Sequence, residues 1–127
     1  TGPGAVPGGG TGAHQDTAAG ANLAVVVAPL TRGRIPTIID HVNTIVTPGA
    51  VVDVVVTDQG VAVNPRRPEV AEKLRKAGLR VYTIEQLRDK ALALVGRPDP
   101  IRYLDRIVGV VMYRDNTVID VIRQIEE

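Results

Sequence analysis

The sequence predicts an α/β fold, an open sheet with flanking helices and more strand than helix. Three observations point there. Val, Ile, Leu and Ala supply nearly all the apolar content of a chain with no Phe or Trp and only three Tyr, and branched aliphatics at this density favour strands. Two segments in the second half instead repeat their apolar residues at helical spacing and carry helix start and stop signals. Pro and Gly clusters divide the remainder into short blocks.

The first block is glycine-rich: residues 8–22 read GGGTGAHQDTAAGAN. It is too poor in apolar side chains to build a core, so it is either a flexible tail or a backbone loop shaped to lie against a ligand. Leu23 to Ala28 follow as an apolar run of the length of a fully buried strand, which would hold such a loop in place. Residues 1–22 are therefore read as a glycine-rich ligand loop, and 23–127 as one α/β domain.

Pro29 to Pro36 holds a polar turn with Arg32 and Arg34, and Thr37 to Thr47 is β-rich with mixed alternation, closed by Pro48-Gly49. Val51 to Thr57 is the next strand; Asp58-Gln59-Gly60 breaks it and Val61 to Val63 follows, as in a hairpin or bulge. Pro68 suits the first turn of a helix, Val70, Ala71, Leu74 and Ala77 recur at helical spacing, and Gly78 stops it. Arg80 to Tyr82 is a brief strand. Thr83 and Gln86 form a capping box for a helix that buries Ile84, Leu87, Ala91 and Leu94 and ends at Gly96. Arg106 to Tyr113 and Thr117 to Ile125 are two strands joined at Asp115-Asn116, with Ile107, Val110 or Val111, and Val118 facing inward.

Composition narrows function. The chain has 127 residues, 15 basic against 14 acidic, for a net charge of +1. That gives no long-range pull toward nucleic acid or anionic membrane, and aromatic platforms for stacking bases are scarce. No apolar run approaches the roughly 18 residues of a membrane span and no signal peptide is evident. Cysteine is absent, which removes disulfides and thiolate chemistry and fits a cytoplasmic setting. Serine is absent too, so there is no Gly-x-Ser-x-Gly nucleophile elbow. Two histidines far apart, without a third ligand pattern, make a poor metal site, and none is expected. Thr1 reads as a position inside a longer coding sequence.

Several residues could carry chemistry. Glycines permit positive φ, and their successive N–H groups can form an anion nest. The run matches neither the phosphate loop nor the dinucleotide fingerprint, and a tight connection is the competing reading. His14 and Asp16 are two apart; in an extended segment they share a side, where the acid could orient an imidazole. His41 is read as a surface or packed residue. Arg32, Arg34, Arg66 and Arg67 flank turns, where a guanidinium can bind carboxylate or phosphate bidentately or make ordinary surface ion pairs. Gly60 either serves the turn alone or lets a ligand lie over the strand end, the usual binding side of open α/β sheets.

Three segments together carry a family resemblance: Gly10 to Ala21, Ala28 to Thr37 (APLTRGRIPT), and Val56 to Arg67 (VTDQGVAVNPRR). They closely resemble the C-terminal part of the citrate lyase alpha chain family, and the resemblance runs from about Gly8 to Ile125. It implies a CoA-transferase-like fold of two similar α/β halves with the active site between them, of which this chain is the second. It implies a citrate CoA-transferase that converts acetyl-carrier protein and citrate to citryl-carrier protein and acetate, after which a separate subunit cleaves the citryl thioester to oxaloacetate. The cofactor implied is a CoA-like phosphoribosyl-dephospho-CoA arm on the acyl carrier protein, with acetyl-CoA as its surrogate. The partners implied are the N-terminal half of the alpha subunit, the beta (lyase) and gamma (acyl carrier) subunits, and citrate.

Residue by residue, the glycine-rich element is similar to the Gly-x-Gly-Gly loop that touches the thioester arm in related transferases, with Ala13 standing for the second of the paired glycines. Val55 to Ala62 resembles the Val-Thr-Glu-Tyr-Gly-Ile-Ala segment of acetate and butyrate transferases, whose glycine contacts CoA. The resemblance thus assigns Gly10, Gly12, Ala13 and Gly60 to the arm. Arg66 and Arg67 are candidates for a substrate or phosphate anion, and His14 and Asp16 for a catalytic role. The rival readings are a CoA- or nucleotide-binding module without turnover and a structural half that completes a larger subunit's sheet.

Overall fold

The computed structural model describes residues 12–126. The elements are α1 (Gly12–Gly20), β1 (Val25–Val27), β2 (Thr31–Arg32), β3 (Ile35–Pro36), a single 3-10 turn (Gly49–Val51), β4 (Val54–Thr57), β5 (Gly60–Val63), α2 (Pro68–Lys76), β6 (Val81–Tyr82), α3 (Ile84–Val95), β7 (Tyr103–Met112) and β8 (Val118–Ile125). The main sheet has the order β1-β4-β5-β6. β4 and β5 form an antiparallel hairpin, and β1 and β6 join its two sides in parallel, β1 to β4 and β6 to β5. β2–β3 and β7–β8 are separate two-stranded hairpins. The expected mixed α/β architecture with an open sheet and flanking helices is present.

Local signals act as their chemistry dictates. Pro68 starts α2 where its missing N–H costs nothing, and Gly78, at φ +85°, lies just beyond its end. At α3 the Thr83 hydroxyl accepts from the Gln86 amide at 3.2 Å while the Gln86 side chain accepts from the Thr83 amide at 2.9 Å. Gly96, at φ +78°, closes the helix. Asn116, at φ +64°, takes the left-handed position in the β7–β8 turn, which Asn tolerates better than most residues.

The core is small. Leu87 and Ala91, one turn apart on α3, are fully covered and pack with Leu30 and Ala62, bordered by Ile38, Val55 and Tyr82. Ile84 and Leu94, expected inside, are exposed: α3 is twelve residues long and overhangs strands of two to four residues.

Four further expectations are corrected. Residues 12–20 are helical, so the ligand loop of 1–22 does not hold for that stretch; Ala13, Ala18 and Ala19, the strongest helix formers, outweigh the two terminal glycines. β1 is an edge strand with Val25 and Val27 exposed rather than fully buried. Thr37 to Thr47 forms no strand; side chains pin it instead, with Asp40 ion-paired to Arg88 and Arg97, Thr44 donating to the Val121 carbonyl, and the Ile45 amide donating to Asp120. In β7–β8, Ile107, Val110 and Val118 are all more than half exposed, whereas Val111, the alternative to Val110, is half-buried, because alternation puts Gly109 and Val111 on the more covered face.

Candidate functional site

β1 and β4 run side by side in the same direction, with Val25, Val26 and Val27 opposite Val54, Val55 and Val56. Their carboxyl ends therefore release the chain at one edge of the sheet, the side on which open α/β sheets bind ligands. From β1 the chain enters Ala28-Pro29-Leu30 and the β2–β3 hairpin; from β4 it enters the Asp58-Gln59 turn to Gly60. The two segments are joined directly. The Ala28 amide donates to the Val56 carbonyl at 3.0 Å, and the Leu30 amide donates to the Asp58 carboxylate at 2.8 Å. That bond, with a second from Gln59, holds the Asp58 carboxyl below the usual carboxylate range.

The turn itself is tightly specified. The Thr57 hydroxyl donates to the Gly60 carbonyl at 2.8 Å and accepts from the Gln59 amide at 3.2 Å. Gly60 has φ +147°, and a Cβ there would lie 2.4 Å from Cε2 of the Tyr82 ring. Only glycine fits this turn against β6, whether or not a ligand also approaches it.

A second constellation sits at the opposite end of the same strands. Asp53 is 3% exposed, inside the Val-Val-Asp-Val-Val-Val run. Its carboxylate accepts from the Ala24 amide at 2.9 Å and from Arg67 Nε at 3.0 Å, with Arg66 Nη2 at 3.6 Å. These contacts, the Ala24 bond first, lower its pKa against the opposing effect of burial. Arg67 also donates to the Asn22 carbonyl at 2.9 Å, so one guanidinium ties the start of β1 to the start of α2. Asn64 aims it. Its side chain donates to the Val52 carbonyl at 2.9 Å and accepts from the Arg66 amide at 3.1 Å, while its carbonyl accepts from the Arg67 amide at 2.8 Å. Beside this clasp a cavity of about 610 Å³ opens between the sheet, α2 and the start of α3; Asp53, Asn64, Arg75 and Tyr82 line it with Val55 and Ala62.

The residues singled out from sequence are thus spread over three places. Gly60 lies at the turn of the β4–β5 hairpin, beyond the carboxyl end of β4, whereas Arg66 and Arg67 lie one strand length away, about 13 Å for four residues. Arg67 is engaged on both sides; Arg66, with its side chain 54% exposed, keeps donors for an anion. Gly12 and Ala13 open α1, and Gly10 lies outside the described residues. His14 and Asp16 do not share a side as an extended segment would have it: two residues on a helix are about 200° apart. His14 Nδ1 lies 2.9 Å from the Thr47 hydroxyl, Gln15 is buried and donates to the Val46 carbonyl, and Asp16 is exposed.

Sequence reading passed over Asp53, Asp58 and Asn64. A signal existed for the first: an acid within five valines must find a cation or donors once buried, and Arg66-Arg67 were the nearest cations. Among the described residues no cluster of three or more His, Cys, Asp or Glu is placed to hold a metal ion, and no helix is long and apolar enough to cross a membrane.

A mixed α/β sheet whose parallel strands β1 and β4 deliver the Arg32-Gly33-Arg34 hairpin and the Asp58-Gln59-Gly60 turn to one edge has the layout of the class of open α/β domains, which bind ligands on that side. Comparison with known proteins narrows it. The family model for the citrate lyase alpha subunit matches residues 1–125, and the chain belongs to that family. It is 54% identical over its whole length to the citrate lyase alpha chain of Escherichia coli strain K12 and 55% identical over 99% of its length to that of Klebsiella pneumoniae, covering 25% of each. It therefore spans about a quarter of the length of these relatives. A crystal structure from Streptococcus mutans assigned as the alpha subunit of citrate lyase, in complex with citrate, superimposes with a TM-score of 0.88 at 50% identity, over 92% of this chain and 23% of that one.

Proposed function

We propose that this chain is the C-terminal part of a citrate CoA-transferase that exchanges acetate for citrate on the thioester of an acyl carrier protein in the cytoplasm. In that reaction the acyl group of an acetyl thioester is replaced by citrate, giving a citryl thioester and free acetate, and the lyase and carrier subunits of a citrate lyase complex act as partners. The fold is then one half of a CoA-transferase pair, and Gly10, Gly12, Ala13 and Gly60 are the residues assigned to the thioester arm, a phosphoribosyl-dephospho-CoA. Arg66 is the candidate for an anionic group of arm or substrate, and His14 and Asp16 for roles beside the reacting thioester.

The observation that carries this reading is the direct joining of two family-matching segments, Ala28 to Thr37 and Val56 to Ala62, at the carboxyl ends of β1 and β4. Citrate in the Streptococcus mutans structure supports the substrate class. The test is exchange between acetyl-CoA and citrate. Turnover is expected from the full-length polypeptide and not from this 127-residue chain by itself, because the site is shared with the other half. Comparable turnover by the short chain by itself would overturn the two-half arrangement.

A further inference from the structure

We propose that Arg32 and Arg34, presented by the β2–β3 turn, form an oxyanion-binding site at the carboxyl edge of the sheet for a carboxylate or phosphate of the reacting partners. The proposal rests on the exchange reading above and names residues that the sequence resemblance left without a role.

The turn is built to hold a fixed shape. β2 and β3 pair Thr31 with Pro36 and Arg32 with Ile35, leaving Gly33 and Arg34 as the two central residues. Gly33 has φ +60° and Arg34 does not share a positive φ, the pattern of a type II′ turn, which requires glycine first. The hairpin is rooted in the core: Leu30 is 1% exposed and Pro36 is buried. Its base is closed by the Thr37 amide on the Leu30 carbonyl and by the Thr37 hydroxyl on the Pro29 carbonyl. Asp58 then fixes Leu30 to the Gly60 turn. A rigid base below an exposed tip lowers the ordering cost of binding.

Place together with charge distinguishes this tip. Arg66, Arg67, Arg88, Arg97 and Arg123 each have an acid within 4 Å. Arg32 and Arg34 are exposed and make no ion pair or side-chain hydrogen bond among the described residues. Arg75, Arg80, Arg102, Arg106 and Arg114 likewise have no acid within 4 Å among the described residues, but only Arg32 and Arg34 sit on the hairpin that Asp58 ties to the Gly60 turn. The nearby acid, Asp58, spends its oxygens on the Leu30 amide and on Gln59. The space around Gly33 is open, with nothing within 4 Å of where a Cβ would stand, so a ligand can reach both guanidinium groups. Two such groups one residue apart suit a polyanion better than a monocarboxylate.

The experiment uses the full-length polypeptide carrying Arg32→Ala, Arg34→Ala or Arg34→Gln. Citrate binding is read by calorimetry, and acetyl-CoA/citrate exchange is read as kcat and the two KM values. Loss of one charge-assisted pair is expected to weaken binding about 10- to 100-fold. A rise in citrate Kd and KM identifies a carboxylate, and a rise in acetyl-CoA KM identifies a phosphate of the arm. Arg106→Ala, on β7, leaves all of these unchanged. Parent-like Kd and both KM values in Arg34→Gln and Arg32→Ala would overturn the site. Citrate binding that depends on these arginines, in a parent protein without exchange, would instead overturn the exchange reading and leave the site standing.

Discussion

The Asp53 carboxyl binds its proton less readily when folded than when unfolded, because the Ala24 amide and the Arg67 guanidinium favour its charged form. A group with a depressed folded pKa contributes stability that is complete above its unfolded value, about 3.9, and is lost as the pH falls through the folded value. Acid unfolding followed by circular dichroism is expected to show this loss below about pH 4. Asp53→Asn should flatten that acid limb and lower the melting temperature at pH 7 by several degrees. A variant that melts like the parent at pH 7 would remove Asp53 from its central place. Gly60 gives a second test. Gly60→Ala combines an unfavourable φ with a Cβ against the Tyr82 ring and is expected to cost about 1–3 kcal/mol in chemical denaturation. Adding Tyr82→Leu frees space, so the double variant should be more stable than the sum of the single losses predicts. Strict additivity would mean the ring yields without cost. Because Gly60 serves the turn, reduced ligand affinity in a Gly60 variant needs a folding control.

Among the elements, α3 has the clearest prediction. Thr83→Ala removes a cap whose both halves are formed and is expected to destabilise by about 1 kcal/mol. The helix was legible because its signals are local: a cap, a periodic stripe and a terminal glycine within one short stretch. The β4–β5 hairpin, α2 and the Asn116 turn were legible for the same reason. What the sequence concealed depends on distant partners. Thr37 to Thr47 has strand-forming residues but no strand beside it, and its hydrogen bonds scatter to Leu30 just before it, to Gln15 on α1, and to Asp120 and Val121, more than 70 positions later. α1 was hidden by its glycines. That helix changes the chemistry expected of His14 and Asp16, which now face away from each other. In an exchange assay the losses of His14→Ala and Asp16→Asn should multiply in the double variant. A double variant no worse than the worse single would show that they act together.

Over the whole molecule the buried residues gather around β4, β5 and α3, and none lies in β7 or β8. Stability should be correspondingly uneven. In hydrogen exchange on the 127-residue chain, β7–β8 amides are expected to exchange at least about tenfold faster than those of β4–β5; equal protection would mean the ribbon unfolds only with the core. The candidate site was legible in part at this scale. Its glycine turn and its arginines could be picked out singly, but that Gly60 and Arg67 mark opposite ends of one hairpin follows only from the pairing of β4 with β5. The Asp53 clasp, finally, sets an order of assembly. β4 and β5 meet across a two-residue turn, whereas β1 must close a long connection to reach β4 and is secured there by Arg67, 45 positions beyond its partner Asn22. Loop closure of that kind is slow. The hairpin can therefore form early, while the first strand docks late in folding and, during synthesis, only after Arg67 has emerged from the ribosome.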